Sequence, residues 1–340
     1  MKKLLFSAVA GVLALVMAPA QAFAAEVNVY SSRKEALIKP LLDKFTEQTG
    51  IKVNLVTGKD DALITRLQKE GARSPADLLI TADAGRLYRA KAAGLLQPMQ
   101  SAVYQDKVPA NMRDAEGEWV ALTMRARPIF YVKGKVKPEE LSTYEALTDR
   151  KWAGRICIRS SSNIYNQSLI ASMIVAEGQE KTEAFAKGIV ANMARPPAGG
   201  DTDQLKAAAA GVCDIAIANT YYFGRLASSS DAAKNAVADK LGVFWPNQQD
   251  RGTHVNASGI GVTKSAKNGD AANQLIAFML TGESQSWYAQ VNNEYPIVPG
   301  VPASDVLNSW GEFKADAINL SLLGENNRLA VETMDRANWK

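Results

Sequence analysis

Strand and helix signals alternate along the first part of the chain, and that alternation restricts the possible folds more than any other feature. Val27-Asn28-Val29-Tyr30 has the pattern of a short strand, and Ser31-Ser32 offer an N-cap. Leu37, Leu41, Leu42 and Phe45 then fall on one face of a helix over 34–48, which Gly50 stops. A strand over 51–56 precedes a helix over 60–70 with Leu63, Ile64 and Leu67 at core spacing. A third apolar strand over 77–81 leads into a helix over 84–93 and Gly94. Strands joined through helices run parallel, so this order predicts an α/β fold with helices on both faces of a parallel sheet. Ligands of such sheets collect beyond the carboxyl ends of the strands, here the loops 31–33, 57–61 and 81–83.

The rhythm is interrupted once and then resumes. Trp119 to Val132 is a 14-residue extended run, well beyond the ~5–6 residues of an ordinary strand. A strand that leaves one domain and enters another explains it. A second α/β region follows, with strands over 155–158, 214–218 and 241–244 and helices over 163–176, 181–193 and 201–210. Another extended stretch, 257–263, leads into a helix over 271–280. The 340 residues suffice for about two domains, and no low-complexity linker separates them. Two lobes joined by extended crossings are expected.

The first residues do not belong to that fold. Met1-Lys2-Lys3 is a charged start, Leu4 to Ala18 is an apolar run of 15 residues, and Ala22-Phe23-Ala24 has the A-x-A form of a cleavage site. The run is shorter than the ~18–20 residues that span a bilayer, and no second one follows. An export signal over 1–24 is expected, leaving 316 residues without a membrane span in an oxidising compartment, most simply a periplasm. Loss of Lys2 and Lys3 lowers the formal charge from +4 to +2, which gives no argument for nucleic acid.

In that compartment Cys157 and Cys213, 56 residues apart, are either a disulfide or two buried thiols on neighbouring strands. A bridge closing so long a loop would stabilise the fold by roughly 3–4 kcal/mol. Two cysteines make no zinc finger or iron–sulfur cluster, and one histidine makes no multi-histidine zinc site. A hydrolase would have to use His254, which lies in Gly-Thr-His-Val-Asn with no nucleophile motif beside it.

Several segments become specific when taken together. They are Val-Tyr-Ser-Ser-Arg-Lys-Glu at 29–35, Ile-Cys-Ile-Arg-Ser-Ser-Ser-Asn-Ile-Tyr-Asn-Gln-Ser at 156–168 and Ala-Asn-Thr-Tyr-Tyr-Phe-Gly-Arg at 218–225. With Gly252-Thr-His-Val-Asn-Ala-Ser-Gly-Ile-Gly and Glu294-Tyr-Pro-Ile-Val-Pro-Gly, they resemble the periplasmic ferric-iron-binding proteins, substrate-binding components of iron(III) ABC importers. The resemblance covers essentially the whole chain after residue 24, and the twin tyrosine is its most diagnostic part. It implies a bilobal, type II periplasmic-binding-protein fold. The first lobe would comprise 25–123 and 257–300, the second 124–256 and 301–340.

The resemblance also implies a site. Tyr165, Tyr221 and Tyr222 match the tyrosines whose phenolates bind iron, and Arg33 and Arg125 match positions that hold a synergistic anion, usually carbonate. Arg127, two residues beyond Arg125 on the same strand face, is a further candidate. The histidine that some relatives place in the first loop is absent here, where Arg33-Lys34 stands. A tyrosine used by others falls at Lys34 or Glu35, and a glutamate ligand falls near the shorter Asp61. A shell of tyrosines completed by an anion is therefore expected.

The chemistry of the donors agrees. Ferric ion is a hard cation that suits anionic oxygen better than imidazole or thiolate. Three phenolates cancel its charge, and two guanidiniums can offset a carbonate through planar, bidentate hydrogen bonds. A bridge between Cys157 and Cys213 would tie together the strands leading to the tyrosines, since each cysteine precedes a tyrosine by eight residues. The expected protein is a monomeric binding protein, not an enzyme, that passes Fe(III) to an inner-membrane ABC permease. The alternative within the same fold is a carrier of a small organic anion or polyamine.

Overall fold

The computed structural model describes residues 25–340, so the expected export signal lies outside the described residues. Strands β1 (Glu26–Ser31), β2 (Lys52–Thr57) and β3 (Leu78–Thr81) pair in parallel in the order β2-β1-β3. Short β4 (Leu96–Gln97) and β5 (Val120–Ala126) belong to the same sheet but join it through a later strand. The second sheet contains β6 (Ile129–Val132), β7 (Ile156–Cys157), β8 (Ile215–Ile217) and β9 (Leu241–Phe244), in the order β7-β8-β6-β9. Finally β10 (Val255–Thr263) returns to the first sheet and runs antiparallel to β3, β4 and β5.

The first sheet is thus mixed and not wholly parallel. The opening strands are parallel and linked through helices, but β10 arrives from the other lobe and runs antiparallel to β3. All nine of its residues are buried. Gly259 in its middle lies so close to the carbonyl oxygen of Val120 that a Cβ there would clash.

The long run from Trp119 to Val132 is two strands. Ala126 ends β5 in the first sheet and Ile129 begins β6 in the second, with Arg127-Pro128 between them. Proline has no N–H for a ladder, and the break falls at that point. The return crossing lies between β9 and β10. A further tie comes from the helix Ser321–Glu325, which packs against both the helix Ala84–Ala92 and the helix Ile164–Glu177.

The expected helix over 34–48 starts later than its apolar spacing indicates. A single 3₁₀ turn, Glu35–Leu37, precedes a helix over Lys39–Thr49 with Pro40 in its first turn. Proline fits there because its missing N–H has no partner in a helix start anyway. Gly50 ends this helix in the left-handed conformation, φ 73°. The helix Asp60–Glu70 has the expected bounds. The two tyrosine segments begin the helices Ile164–Glu177 and Thr220–Ala227. Adjacent residues such as Tyr221 and Tyr222 would point to opposite faces of a strand, but on a helix they fan out on one side.

Candidate metal centre

Two helix starts bring the three tyrosines together. Asn163 caps the first, its side chain accepting from the Tyr165 N–H at 3.0 Å. Asn219 is the N-cap residue of the second, and its own N–H donates to Asp201 at 2.7 Å. The Tyr221 hydroxyl donates to the Tyr165 hydroxyl at 3.0 Å, and the Tyr221 and Tyr222 ring centroids are 4.3 Å apart. Behind these helices, Cys157 and Cys213 form a disulfide with a Cα–Cα distance of 5.9 Å. It links the end of β7 to the residue two before β8, and so fixes the spacing of the strands that lead to the tyrosines.

Four arginines surround the phenols. The guanidinium carbons of Arg125 and Arg159 each lie 5.5 Å from the Tyr165 ring centroid. Arg225 is 5.1 Å from the Tyr221 ring and 5.9 Å from that of Tyr222. Arg33 acts on Tyr221 through charge from the first lobe. Cations beside aromatic faces are attracted by the ring quadrupole, and beside a phenol they also favour the ionised form.

Burial works the other way. It pushes Tyr165 above the ordinary phenol value, and the neighbouring Tyr222 adds to the rise despite Arg125. Tyr221 is raised further by burial, then by Tyr165 and Tyr222. Packed phenols resist ionising next to one another, so Tyr165 and Tyr221 hold their protons at neutral pH.

Arg33 and Arg125 are both buried in ion pairs. Arg33 bonds Glu294 at 2.6 and 3.1 Å and Thr123 at 3.0 Å. Burial alone would lower its pKa, but the Glu294 carboxylate outweighs that and raises it. Burial likewise would raise Glu294, and Arg33 holds it below the usual carboxylate range. Arg125 bonds Asp83 at 3.0 Å, and Asp83 also accepts from Asn256 at 2.9 Å and Ser168 at 3.3 Å. Neither guanidinium is saturated. Arg33 Nε and Arg125 Nη1 are buried without a hydrogen-bond partner among the described residues.

The other candidates fall elsewhere. Arg127 turns into the second lobe, where it bonds Asp201 at 2.9 Å, Asn219 at 2.9 Å and Asn166 at 2.6 Å. It supports the starts of both tyrosine helices but is separated from Arg125 by the end of β5. Asp61 is exposed and paired with Arg86 and Arg89. It borders a groove of about 710 Å³ whose lining includes none of the tyrosines. His254 is buried, and burial together with Arg127, Arg125 and Arg251 keeps its imidazole well below the ordinary value, hence neutral. Its backbone N–H donates to the Tyr144 hydroxyl at 3.2 Å, and its backbone carbonyl accepts from the Arg127 N–H at 3.0 Å. These bonds make it part of the crossing.

Sequence reasoning assigned no role to Asp83, Asp201, Arg159 or Glu294. Arg159 and Glu294 stand inside the diagnostic segments, but their partners come from distant parts of the chain. Asp83 does leave a local signal, since it caps the helix Ala84–Ala92 by accepting from the Gly85 N–H at 2.9 Å. No group of three or more His, Cys, Asp or Glu side chains among the described residues could hold a metal ion.

Two α/β lobes, each built on its own sheet and joined by extended crossings, define the type II topology of solute-binding proteins. The bacterial extracellular solute-binding protein family matches residues 41–315, and the chain belongs to that family. It is a binding protein, not an enzyme. Within the family it is similar to the iron uptake protein A1 of Synechocystis, with 52% identity over 93% of this chain and 88% of that protein. The Trichodesmium protein FutA (IdiA), solved in complex with iron and citrate, superposes with a TM-score of 0.90 at 53% identity, covering 93% of this chain and all of that one. The ferric binding protein of Campylobacter jejuni superposes with a TM-score of 0.88 at 41% identity, covering 92% of this chain and all of that one. The resemblance to the ferric-iron-binding components of ABC importers holds across the chain.

Proposed function

We propose that the protein is a periplasmic receptor for ferric iron, which Tyr165, Tyr221 and Tyr222 bind as phenolates and which it delivers, as a monomer, to an inner-membrane ABC permease. One observation carries this reading: three phenols meet at two helix starts in a ring of guanidiniums, and no cluster of three or more His, Cys, Asp or Glu among the described residues competes for a metal. The relatives' names, which speak of iron uptake and ferric binding, support the cargo.

An anion completes the shell. Arg33 Nε and Arg125 Nη1 are donors left over for it, and a guanidinium N–H suits a carbonate oxygen. Three phenolates neutralise Fe(III), and the carbonate charge is met by the guanidiniums. No helix among the described residues is long and apolar enough to cross a membrane.

Adding ferric ion to the purified protein tests the reading. A phenolate-to-iron charge-transfer band is expected in the visible, absent from a variant with Tyr165, Tyr221 and Tyr222 all changed to Phe. A colourless wild type, or undiminished colour in that variant, would overturn it. Metal analysis of freshly purified protein separates iron from the organic-anion alternative, because stoichiometric iron is expected only for the first.

A further inference from the structure

All three tyrosines stand on the second lobe, yet the first lobe touches the helix that carries two of them. The helix Thr220–Ala227 has a glycine in its interior, Gly224. Glycine there costs about 1 kcal/mol of helix propensity relative to alanine, so its presence requires a reason. A Cβ built on Gly224 would lie 2.6 Å from the Asn293 Cβ and 2.8 Å from its Cγ. Ordinary carbon–carbon contact needs about 1 Å more.

Asn293 has no room to retreat. It ends the π-helical turn Tyr288–Asn292 in the left-handed conformation, φ 55°, which Asn tolerates better than most residues. Each neighbour is tied to the first lobe. The Asn292 side chain donates to the Leu37 carbonyl at 3.2 Å, Glu294 is paired with Arg33, and Tyr295 exchanges two backbone bonds with Met124 at 2.8 and 2.9 Å. The helix is fixed as well. Thr220, one turn before Gly224, accepts from the Ala126 N–H at 3.3 Å where the chain crosses between lobes.

We infer that Gly224 and Asn293 form the stop that sets how closely the two lobes approach, with Gly224 as the positioning residue for closure over the tyrosines. The contact lies near the crossing, so a small wedge there is magnified at the rim of the cleft, as in any hinge. Opening would withdraw Arg33 and Glu294 from Tyr221 but leave the three phenols in place. The inference rests on the ferric-iron reading.

The test uses G224A and the double variant G224A/N293G. Glycine at 293 removes the opposing Cβ and suits the left-handed backbone. The iron-loaded G224A variant should keep the wild-type charge-transfer band, surrender iron to excess chelator about tenfold faster, and show a larger radius of gyration by small-angle scattering. The double variant should return both quantities towards wild type. Unchanged release and scattering in G224A overturn the stop, as does a defect or loss of colour that the second substitution fails to correct. A colourless wild type overturns the cargo and the inference together, so the two failures are told apart by the wild type alone.

Discussion

The hydroxyl of Tyr221 donates to the hydroxyl of Tyr165 at 3.0 Å, although the two residues are 56 apart in the chain. The same separation divides Cys157 from Cys213, which are joined by a disulfide. A covalent link between the approaches and a phenol pair at their ends thus brace one another. Helix starts then bring Tyr165, Tyr221 and Tyr222 into one cluster.

Removing the disulfide by changing Cys157 and Cys213 to Ala should lower stability by about 2–5 kcal/mol. Denaturant melts of the two forms measure this. Iron affinity should fall too, because the spacing of the two tyrosine helices is no longer held. An affinity equal to wild type would mean that packing alone fixes the phenols.

The lone histidine makes an acid-stability test unusually clean. His254 is buried and neutral when folded, its pKa held well below 6.5 by burial and by Arg127, Arg125 and Arg251. The unfolded chain takes up a proton there near pH 6.5 and the folded chain does not. Folding stability should therefore fall below that pH, with a limiting slope of about 1.4 kcal/mol per pH unit. Between pH 6.5 and 5 a His254→Gln variant should show a flatter dependence of melting temperature on pH than wild type, whatever its absolute stability.

Iron uptake should release protons. Burial keeps Tyr165 and Tyr221 protonated without metal, so binding as phenolates expels at least these two protons. Each displaced proton makes apparent affinity fall about tenfold per pH unit as the solution is acidified. Titration with ferric ion in weak buffer, followed by base consumption, checks the count. Uptake without proton release would argue against phenolate ligation.

Changing Arg125 to Gln should weaken the dependence of colour on added bicarbonate, and an Arg33→Gln change should act in the same direction. Arg33→Gln also leaves Glu294 buried without its charge partner, at a cost of about 3–5 kcal/mol in stability. Arg125→Gln likewise leaves Asp83 buried without its charge partner, so each variant is paired with a melt to separate anion loss from unfolding. Unaltered bicarbonate dependence in both folded variants would remove the arginines from the anion site.

Much of the architecture was legible because its signals are local. Apolar spacing gave the opening strands and helices, and the overlong run at Trp119–Val132 foretold a crossing between lobes. The later start at Lys39 was hidden because Leu37 continues the apolar spacing while Pro40 alone marks the first turn. The antiparallel return of β10 has no local signature, since a wholly buried strand looks the same in either direction. At the site, the tyrosines and arginines were named through the family resemblance, and the structure added the partners. Arg125 is engaged by Asp83 and Arg33 by Glu294, ion pairs that join residues 42 and 261 apart. No periodicity connects residues so distant.

Crystals of the iron-loaded protein, measured on both sides of the iron absorption edge, give the most direct test of the central claim. The account predicts one strong anomalous peak per chain within bonding distance of the phenol oxygens of Tyr165, Tyr221 and Tyr222. A peak bound elsewhere, or a tyrosine cluster with no iron in crystals that contain it, would contradict it.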